Sequence, residues 1–434
     1  MKKILIISEH FAPQNTIGAI RPTKLAKYLR LTGKYEISVL AAKKQDVSND
    51  EIRTENWFVN NMYLSKKVDL TKLLNVFVYH IFKKRHTKKK SDFNDFVPVK
   101  ENERSSFVKF VKYSLDYLSN LIHSNNAKKI INTYSLHETD IVFSTYGPFS
   151  SHLIARYLKK KNKKLFWIAD FRDPAFNWDT PLLFKRYAKY YAKKICNSAD
   201  VATAVSQGFL DLIIFPDIPR YVISNGFDPD DITDIEIGPQ TKITFSYTGT
   251  LYHKKRNLEI FFKVIRELLN DDLIFEENIQ INYAGRESLT FLSQIEKYNL
   301  NNITKDYGYI SRKKALEVQV NSHILLSSSW NTDGSIGVVT GKLLEYMMMG
   351  KPVISIISGE LPNSAIKEIT HKCNLGFCYE EAEGHYYSDL KTYVLDQYNC
   401  FIKNGTVIFE ANIEEINKYN YKNITSNLER LFPD

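Results

Sequence analysis

In the stretch GKLLEYMMMGKPVISI, residues 341–356, one carboxylate, Glu345, sits inside a run that otherwise has the make-up of a buried helix. Thr340 and Gly341 stand where that helix would begin. Unpaired N–H groups and partial positive charge there suit a phosphate, and glycine allows close backbone approach. Lys342 falls in the first turn. Glu345 lies about one turn further, where a carboxylate can accept hydrogen bonds from two neighbouring hydroxyls. The structural alternative is a solvated Glu on an amphipathic helix, with the methionines as core filling and Gly350 and Pro352 as its stop.

A second group is ADFRDP, residues 169–174, at the end of the strand-like KLFWIADF. Asp170 or Asp173 can accept a hydrogen bond from a reacting hydroxyl while Arg172 orients it or binds phosphate. An internal Asp–Arg pair is the alternative. His152 opens the helix SSHLIARYLKKK just after Gly147 and Ser150, and is a candidate base or a structural helix-start histidine. A third group is the loop GTLYHKKRN, residues 249–257. Thr248 and Gly249 would let this loop approach phosphates, and Lys255 or Arg256 would neutralise growing negative charge. It also reads as a solvated basic loop. Gly18 in the first loop permits close approach of a ligand, with Arg21 as a further anion contact. DPDD, residues 228–231, reads as a turn, and no convincing DxD metal motif is present, so no metal is expected.

The elements that must hold these groups recur in a set order. KKILIIS is a short β-branched run of the buried parallel type, followed by a loop EHFAPQNTIGAIRP, a helix TKLAKYLRLTG and a second strand YEISVLAA. Strand, glycine-bearing loop, helix, strand is the opening of a doubly wound α/β domain, without a GxGxxG fingerprint. The pattern blurs from about 45 to 130, where KKRHTKKK (83–90) and the helically spaced SSFVKFVKYSLDYLSNLI (105–122) occur. It resumes with DIVFSTYGP, KLFWIADF, a Lys/Tyr-rich helix around 183–197, VATAVS and YVISNGFD. Residues 229–242 lose periodicity and read as a linker. A second α/β series then runs through ITFSYTGTL, NLEIFFKVIRELL, IQINYAG, ITKDYGYIS, RKKALEVQVNS, HILLSSSW and PVISII. The end, NIEEINKYNYKNITSNLERLF, reads as helical. The expected division is 1–228 with an insertion at about 45–130, a linker at 229–242, a second domain at 243–408 and a terminal helix at 409–434 that packs back on the first domain.

A chain of 434 residues with 44% hydrophobic and 25% charged residues has globular proportions and room for two cores. The net charge of +10 favours anionic partners: nucleic acid, an acidic membrane or phosphorylated substrates. No recognition helix, stacking motif or zinc module supports nucleic acid. The four cysteines are sparse and irregular, as structural thiols in a reducing compartment are. MKKILIISEHFAP lacks the long apolar stretch and cleavage site of a signal peptide, and LLNVFVYHIF is too short to span a bilayer. The expected location is cytoplasmic, peripheral on the inner face of the plasma membrane.

P-x4-GAIRPTKLAKYL, GPFSSHLIA, ADFRDP, SNGFD, YTGTLYHKKRNLEIF and TGKLLEYMMMGKPVI, in that order, resemble retaining glycosyltransferases of family 4, of the polysaccharide-biosynthesis type. The resemblance implies an α/β GT-B fold, two Rossmann-like doubly wound domains facing across a cleft. It implies transfer of a sugar from a nucleotide-diphospho-sugar, a UDP-sugar first, to a hydroxyl of a lipid-linked or polysaccharide acceptor, without cofactor or metal. In that family the residue matching Glu345 binds the ribose, and the backbone of Tyr309 and Ile310 would meet the base. Two departures stand out. Thr250 replaces the usual Arg after the glycine, and Gly337 replaces the Glu that contacts the donor sugar, with Asp333 and Ser335 as substitutes. A non-catalytic partner subunit and a nucleotide-sugar epimerase keep the same fold. The basic tracts, with residues 105–122, point to docking on an anionic leaflet.

Overall fold

The computed structural model describes residues 1–14, 16–43, 56–72, 106–173, 180–212, 218–252, 255–332 and 339–433. Lys83–Lys90, much of the 45–130 insertion, and Asp333, Ser335 and Gly337 lie outside them. The chain divides into two compact units, Met1–Ile223 with Asn427–Asp434, and Ser224–Ser426.

The first unit runs β1 (Lys2–Ser8), α1 (Ile17–Leu31), β2 (Tyr35–Lys43), β3 (Asn61–Lys66), α2 (Ser106–Thr133), β4 (Ile141–Thr145), α3 (Ser150–Lys161), β5 (Phe166–Phe171), α4 (Leu182–Cys196), β6 (Val201–Ala204), α5 (Gln207–Leu212) and β7 (Arg220–Val222). Its seven strands are parallel in the order β3-β2-β1-β4-β5-β6-β7. Ile4, Leu5, Ile6 and Ile7 are all buried, so β1 is covered on both faces, as its unbroken apolar run requires. The order reverses between β1 and β4, which makes their carboxyl ends the place for a ligand.

The second unit runs β8 (Ile243–Thr248), α6 (Glu259–Asn270), β9 (Ile279–Ala284), α7 (Ser288–Lys297), β10 (Thr304–Asp306), α8 (Arg312–Val320), β11 (Ile324–Trp330), α9 (Gly341–Met347), β12 (Val353–Ser358), α10 (Ala365–Lys372), β13 (Gly376–Glu380), α11 (Tyr387–Asn404), α12 (Ile413–Asn417) and α13 (Tyr421–Glu429), the last of which ends in the first unit. Its six strands are also parallel, β10-β9-β8-β11-β12-β13, and reverse between β8 and β11. One face is filled by Phe261, Phe262 and Leu268 of α6, the other by Leu343, Tyr346 and Met347 of α9.

Several elements differ from expectation. The helix of the first βαβ unit starts at Ile17, ahead of Pro22, and not after it. Pro22 has no N–H to give the Gly18 carbonyl four residues back. The Arg172 guanidinium donates to that carbonyl instead, so the helix tolerates the proline. The segment 221–228 holds strand only through Val222, and its Gly226 serves a close approach: a Cβ there would stand 2.1 Å from the Tyr419 carbonyl oxygen. Phe227 then exchanges backbone hydrogen bonds of 2.9 Å with Tyr419 and Tyr421, which splits the expected terminal helix into α12 and α13. β3 and β13 carry no clear pattern; only Ser65 of β3 is buried. Beyond the split, Glu429 accepts from Lys34 Nζ at 2.8 Å and the Tyr35 hydroxyl at 3.0 Å within the first unit. Ile232 and Ile235, from the stretch expected to be a linker, pack on the core of the second unit.

Candidate functional site

In the second unit Glu345 stands at the switch point with the expected Lys342 beside it. Its side chain is 13% exposed. Glu345 Oε1 accepts from Lys342 Nζ and from Gln319 Nε2, each at 2.7 Å, and Oε2 faces Arg312 Nη2 at 3.4 Å. Burial alone would raise its pKa, but Lys342 and Arg312 together hold the carboxyl below the usual range. It is therefore a buried, ionised carboxylate with cations on two sides, and not the solvated Glu of the structural alternative. Arg312 is shared with Asp231 at 3.0 Å, which gives the second half of DPDD a partner.

Gln319, Arg312 and Asp231 are the members that spacing did not single out. Arg312 and Gln319 are seven apart on α8 and so share a face, and Gln319 is buried beside Leu316 and Val320. A glutamine on the buried stripe of a helix was the available signal. Its Oε1 finds no partner among the described residues.

Gly249 ends β8 with φ +138, a conformation that side chains rarely adopt, and a Cβ there would lie 3.4 Å from Lys342 Cε. Gly285 is equally constrained: a Cβ would be 2.1 Å from the Gly249 carbonyl oxygen. Gly249 donates to Ala284 at 2.8 Å and Gly285 donates to Gly308 at 2.9 Å, so three loop ends interlock. Thr248 is buried; its hydroxyl accepts from Gln319 at 2.8 Å and is not presented to a ligand. Arg256 turns back to the Thr250 carbonyl at 3.1 Å and lies over Tyr252, with its Nε buried and unpartnered among the described residues. Lys255 stands 5.8 Å over the ring of Trp330. Thr340 caps α9 through Leu343 N at 3.4 Å, Gly341 has open space around it, and α9 is only 7 residues long. Tyr309 is exposed beneath the Arg286 guanidinium and Ile310 is half-buried beside it.

In the first unit the structure brings Gly18, Arg21, Asp170, Arg172, Asp173 and His152 to the carboxyl ends of β1, β4 and β5, where several of them are engaged by one another. Asp170 is fully buried. Each of its oxygens accepts twice: Oδ1 from Arg21 Nη2 at 2.7 Å and Thr203 at 2.8 Å, Oδ2 from Arg21 Nε at 3.0 Å and Thr145 at 2.8 Å. No lone pair remains for an acceptor hydroxyl, and the anion that Arg21 contacts is Asp170 itself. Arg172 donates to the carbonyls of Gly18, Tyr146 (3.0 Å) and Gly147 (2.7 Å). What approaches Gly18 is thus this guanidinium, 2.9 Å from where its Cβ would be.

His152 does not fit the part of a base. Burial depresses its pKa to about 3. Ser144 Oγ accepts from the Trp167 indole at 2.8 Å and lies 2.8 Å from His152 Nδ1. A serine oxygen has two lone pairs, so Ser144 either gives its own hydrogen to Nδ1 or accepts a second one from it, and either tautomer fits. His152 is then a neutral imidazole held in place by Ser144. Asp173 alone of the four keeps an open carboxylate, 60% exposed, with Arg172 Nε at 3.3 Å. Gly147 has φ +106, and a Cβ would meet Asp173 Oδ2 at 2.5 Å.

Among the described residues no group of three or more His, Cys, Asp or Glu is placed to hold a metal ion, and no helix is long and apolar enough to cross a membrane. No family model and no curated protein matches the sequence. Solved structures do match its fold. An α,α-trehalose 6-phosphate synthase from Burkholderia multivorans aligns with TM-score 0.60 and 10% identity over 99% of this chain and 96% of that one. Sucrose-phosphate synthase from Thermosynechococcus elongatus gives 0.57 and 12% over 99% and 98%. An E. coli trehalose-6-phosphate structure bound with UDP-2-fluoro glucose gives 0.56 and 12% over 100% of both chains. The two doubly wound parallel sheets are those of the GT-B fold.

Proposed function

We propose that the chain is a glycosyltransferase that takes a sugar from a nucleotide-diphospho-sugar held by the second unit. The observation that carries this reading is Glu345: a buried carboxylate kept ionised at a sheet's switch point can accept from both hydroxyls of a ribose. Lys342, reaching from beside Glu345 to the left-handed Gly249, supplies the cation for the diphosphate. Arg256, Lys255 and the backbone of Thr340 and Gly341 extend that contact, and the base would lie toward Tyr309 and Ile310. The UDP-2-fluoro glucose of one similar structure supports a UDP-sugar as the first donor to try. On the acceptor side Asp173 is the residue to accept a hydrogen bond from the attacking hydroxyl, while Arg172 holds Gly147 and Gly18 around it. The leaving phosphate takes the proton, with no metal required.

Thermal unfolding with UDP, GDP, ADP, CDP and dTDP tests the reading. At a hundredfold excess over Kd one of them adds about 2.7 kcal/mol, which for a unit of this size is roughly 5–11 °C. Glu345→Ala abolishes that shift and leaves the unliganded protein folded. Full retention of the shift in Glu345→Ala refutes the site.

One observation favours a second reading, a nucleotide-binding partner without transfer activity: Asp170, Arg172 and His152 are all engaged internally. Nucleotide binding with no release of nucleoside diphosphate from any sugar donor would select it. The membrane surface is proposed on α4, which exposes Leu182, Leu183 and Tyr190 among Lys185, Arg186, Lys189, Lys193 and Lys194, next to α2 with its exposed Phe110 and Leu118. Cosedimentation with phosphatidylglycerol vesicles and not with phosphatidylcholine alone is the expected result; equal binding to both refutes it.

A further inference from the structure

The helix α2, from the insertion that matched no element of the resemblance, walls a cavity of about 300 Å³ in the first unit. α4 forms the facing wall, and the turn from β4 to α3 and the end of β5 form the floor. That floor carries Gly147, Asp173 and His152, the same ends of strands where the acceptor side of the proposed reaction sits.

Three features define what fits. The first is aromatic surface: Tyr117 stacks on Phe149 at 5.2 Å and Tyr146 on Phe171 at 5.6 Å, with Phe184 and Tyr187 completing the walls. The second is a set of hydroxyls. Tyr113 meets Thr180 at 3.3 Å, and the hydroxyls of Tyr117 and Tyr187 are hydrogen-bonded to each other. The exposed carboxylates of Asp116 and Asp173 also line the cavity. So does His152, whose Nε2 is buried with no partner among the described residues. The third is charge. No Lys or Arg is among the described lining residues, in a chain of net charge +10 whose helix α4 is rich in both.

A phosphate or carboxylate would meet the carboxylates of Asp116 and Asp173, and the nearby Arg172 is already engaged by Asp173 and the Gly147 carbonyl. A hydrocarbon or a tetraalkylammonium would leave the Tyr and Thr hydroxyls unused. A neutral sugar ring uses everything present. Its C–H faces lie on aromatic rings, and its hydroxyl edge donates to carboxylates and meets the tyrosine hydroxyls. The volume is at the small end for ligand sites, the size for about one ring.

We propose that this cavity binds one uncharged pyranose ring, and that α2 is the element that selects it. Taking that ring to be the end of the acceptor glycan rests on the glycosyltransferase reading; the binding itself does not. Saturation-transfer difference NMR on the full chain without nucleotide, with the methyl glycosides of glucose, galactose and N-acetylglucosamine, is the experiment, and glucose 6-phosphate and choline are the comparison probes. At least one methyl glycoside receives saturation, strongest on its ring C–H protons, and the two charged probes receive less. Ala188→Trp, which fills the cavity from α4, removes the signal. Asp173→Asn, an isosteric change at an exposed side chain, weakens it several-fold and keeps the proposal testable if Ala188→Trp fails to fold. Saturation of choline or glucose 6-phosphate in preference, no signal from any methyl glycoside, or sugar binding unchanged in both variants overturns it. Sugar binding with no nucleotide shift in the thermal series overturns the transferase reading and leaves the cavity assigned. A nucleotide shift without sugar binding does the reverse.

Discussion

Asp170→Ala separates a catalytic from a structural carboxylate. In the structure Asp170 is 0% exposed and Arg21 2%. Removing the carboxylate takes from Arg21 both of its carboxylate contacts, at 2.7 and 3.0 Å, and from the Thr145 and Thr203 hydroxyls their acceptors at 2.8 Å. Breaking one side of a buried ion pair costs roughly 3–5 kcal/mol because the other charge stays behind in a dry site. For a unit of this size that lowers the melting temperature by roughly 6–20 °C. Urea unfolding followed by tryptophan emission reads it in the right place, since among the described residues Trp57 and Trp167 lie in the first unit and Trp330 in the second. Arg21→Met with Asp170→Leu removes both charges, and the pair recovers much of what either single change loses. If Asp170→Ala instead melts within about 2 °C of the parent and loses only its reaction with an acceptor, the carboxylate is catalytic and the reasoning from its four hydrogen bonds is wrong.

Two further outcomes follow from the same geometry. Gly18→Ala sets a methyl 2.9–3.0 Å from both Arg172 Nη atoms and His10 Cδ2, so the guanidinium must withdraw from the carbonyl that Pro22 leaves open; urea midpoints should show a loss of about 1–3 kcal/mol, and an unchanged midpoint would show that Arg172 does not hold α1. Burial depresses the pKa of His152 to about 3 and that of His123 to about 4, below the ordinary histidine value of about 6.5. The unfolded chain therefore binds more protons in that window, so stability is full above pH 6.5 and falls as pH drops, by up to about 1.4 kcal/mol per pH unit for each histidine. His152→Asn, whose side-chain amide can accept from Ser144 or donate to it, should remove its share of the slope between pH 6.5 and 5, and a slope unchanged in that variant would refute the assignment.

The two sheets were legible because parallel strands buried on both faces are written as unbroken apolar runs: KKILIIS and ITFSYT need no partner to be recognised. β3 was not, since a half-exposed edge strand has no such run to show. For the site, residue types at the ends of those runs were legible and their occupancy was not. Asp170 and Arg21 are 149 residues apart, and Arg172 and Gly18 are 154 apart. An Asp with an exposed carboxylate and an Asp with four donors around it have the same neighbours in sequence. Asp170 and Asp173 illustrate this three residues apart: one is fully buried, and the other has a side chain 60% exposed.

Glu345 resolves the other way for the same reason. Spacing left it either solvated or a ligand for hydroxyls; α8, from which Arg312 and Gln319 reach it, removes the solvated alternative, and the ligand role is the one proposed. Those partners do not saturate it as Arg21 and the threonines saturate Asp170. Oε1 takes two short bonds, while the contact to Oε2 is 3.4 Å, long for an Arg–carboxylate bond. A carboxylate kept ionised by Lys342 and Arg312, with one oxygen weakly held, is what a hydroxyl-bearing ligand can still engage. In Asp170 the fold has spent its acceptor capacity internally; in Glu345 it has charged the group and left part of that capacity open.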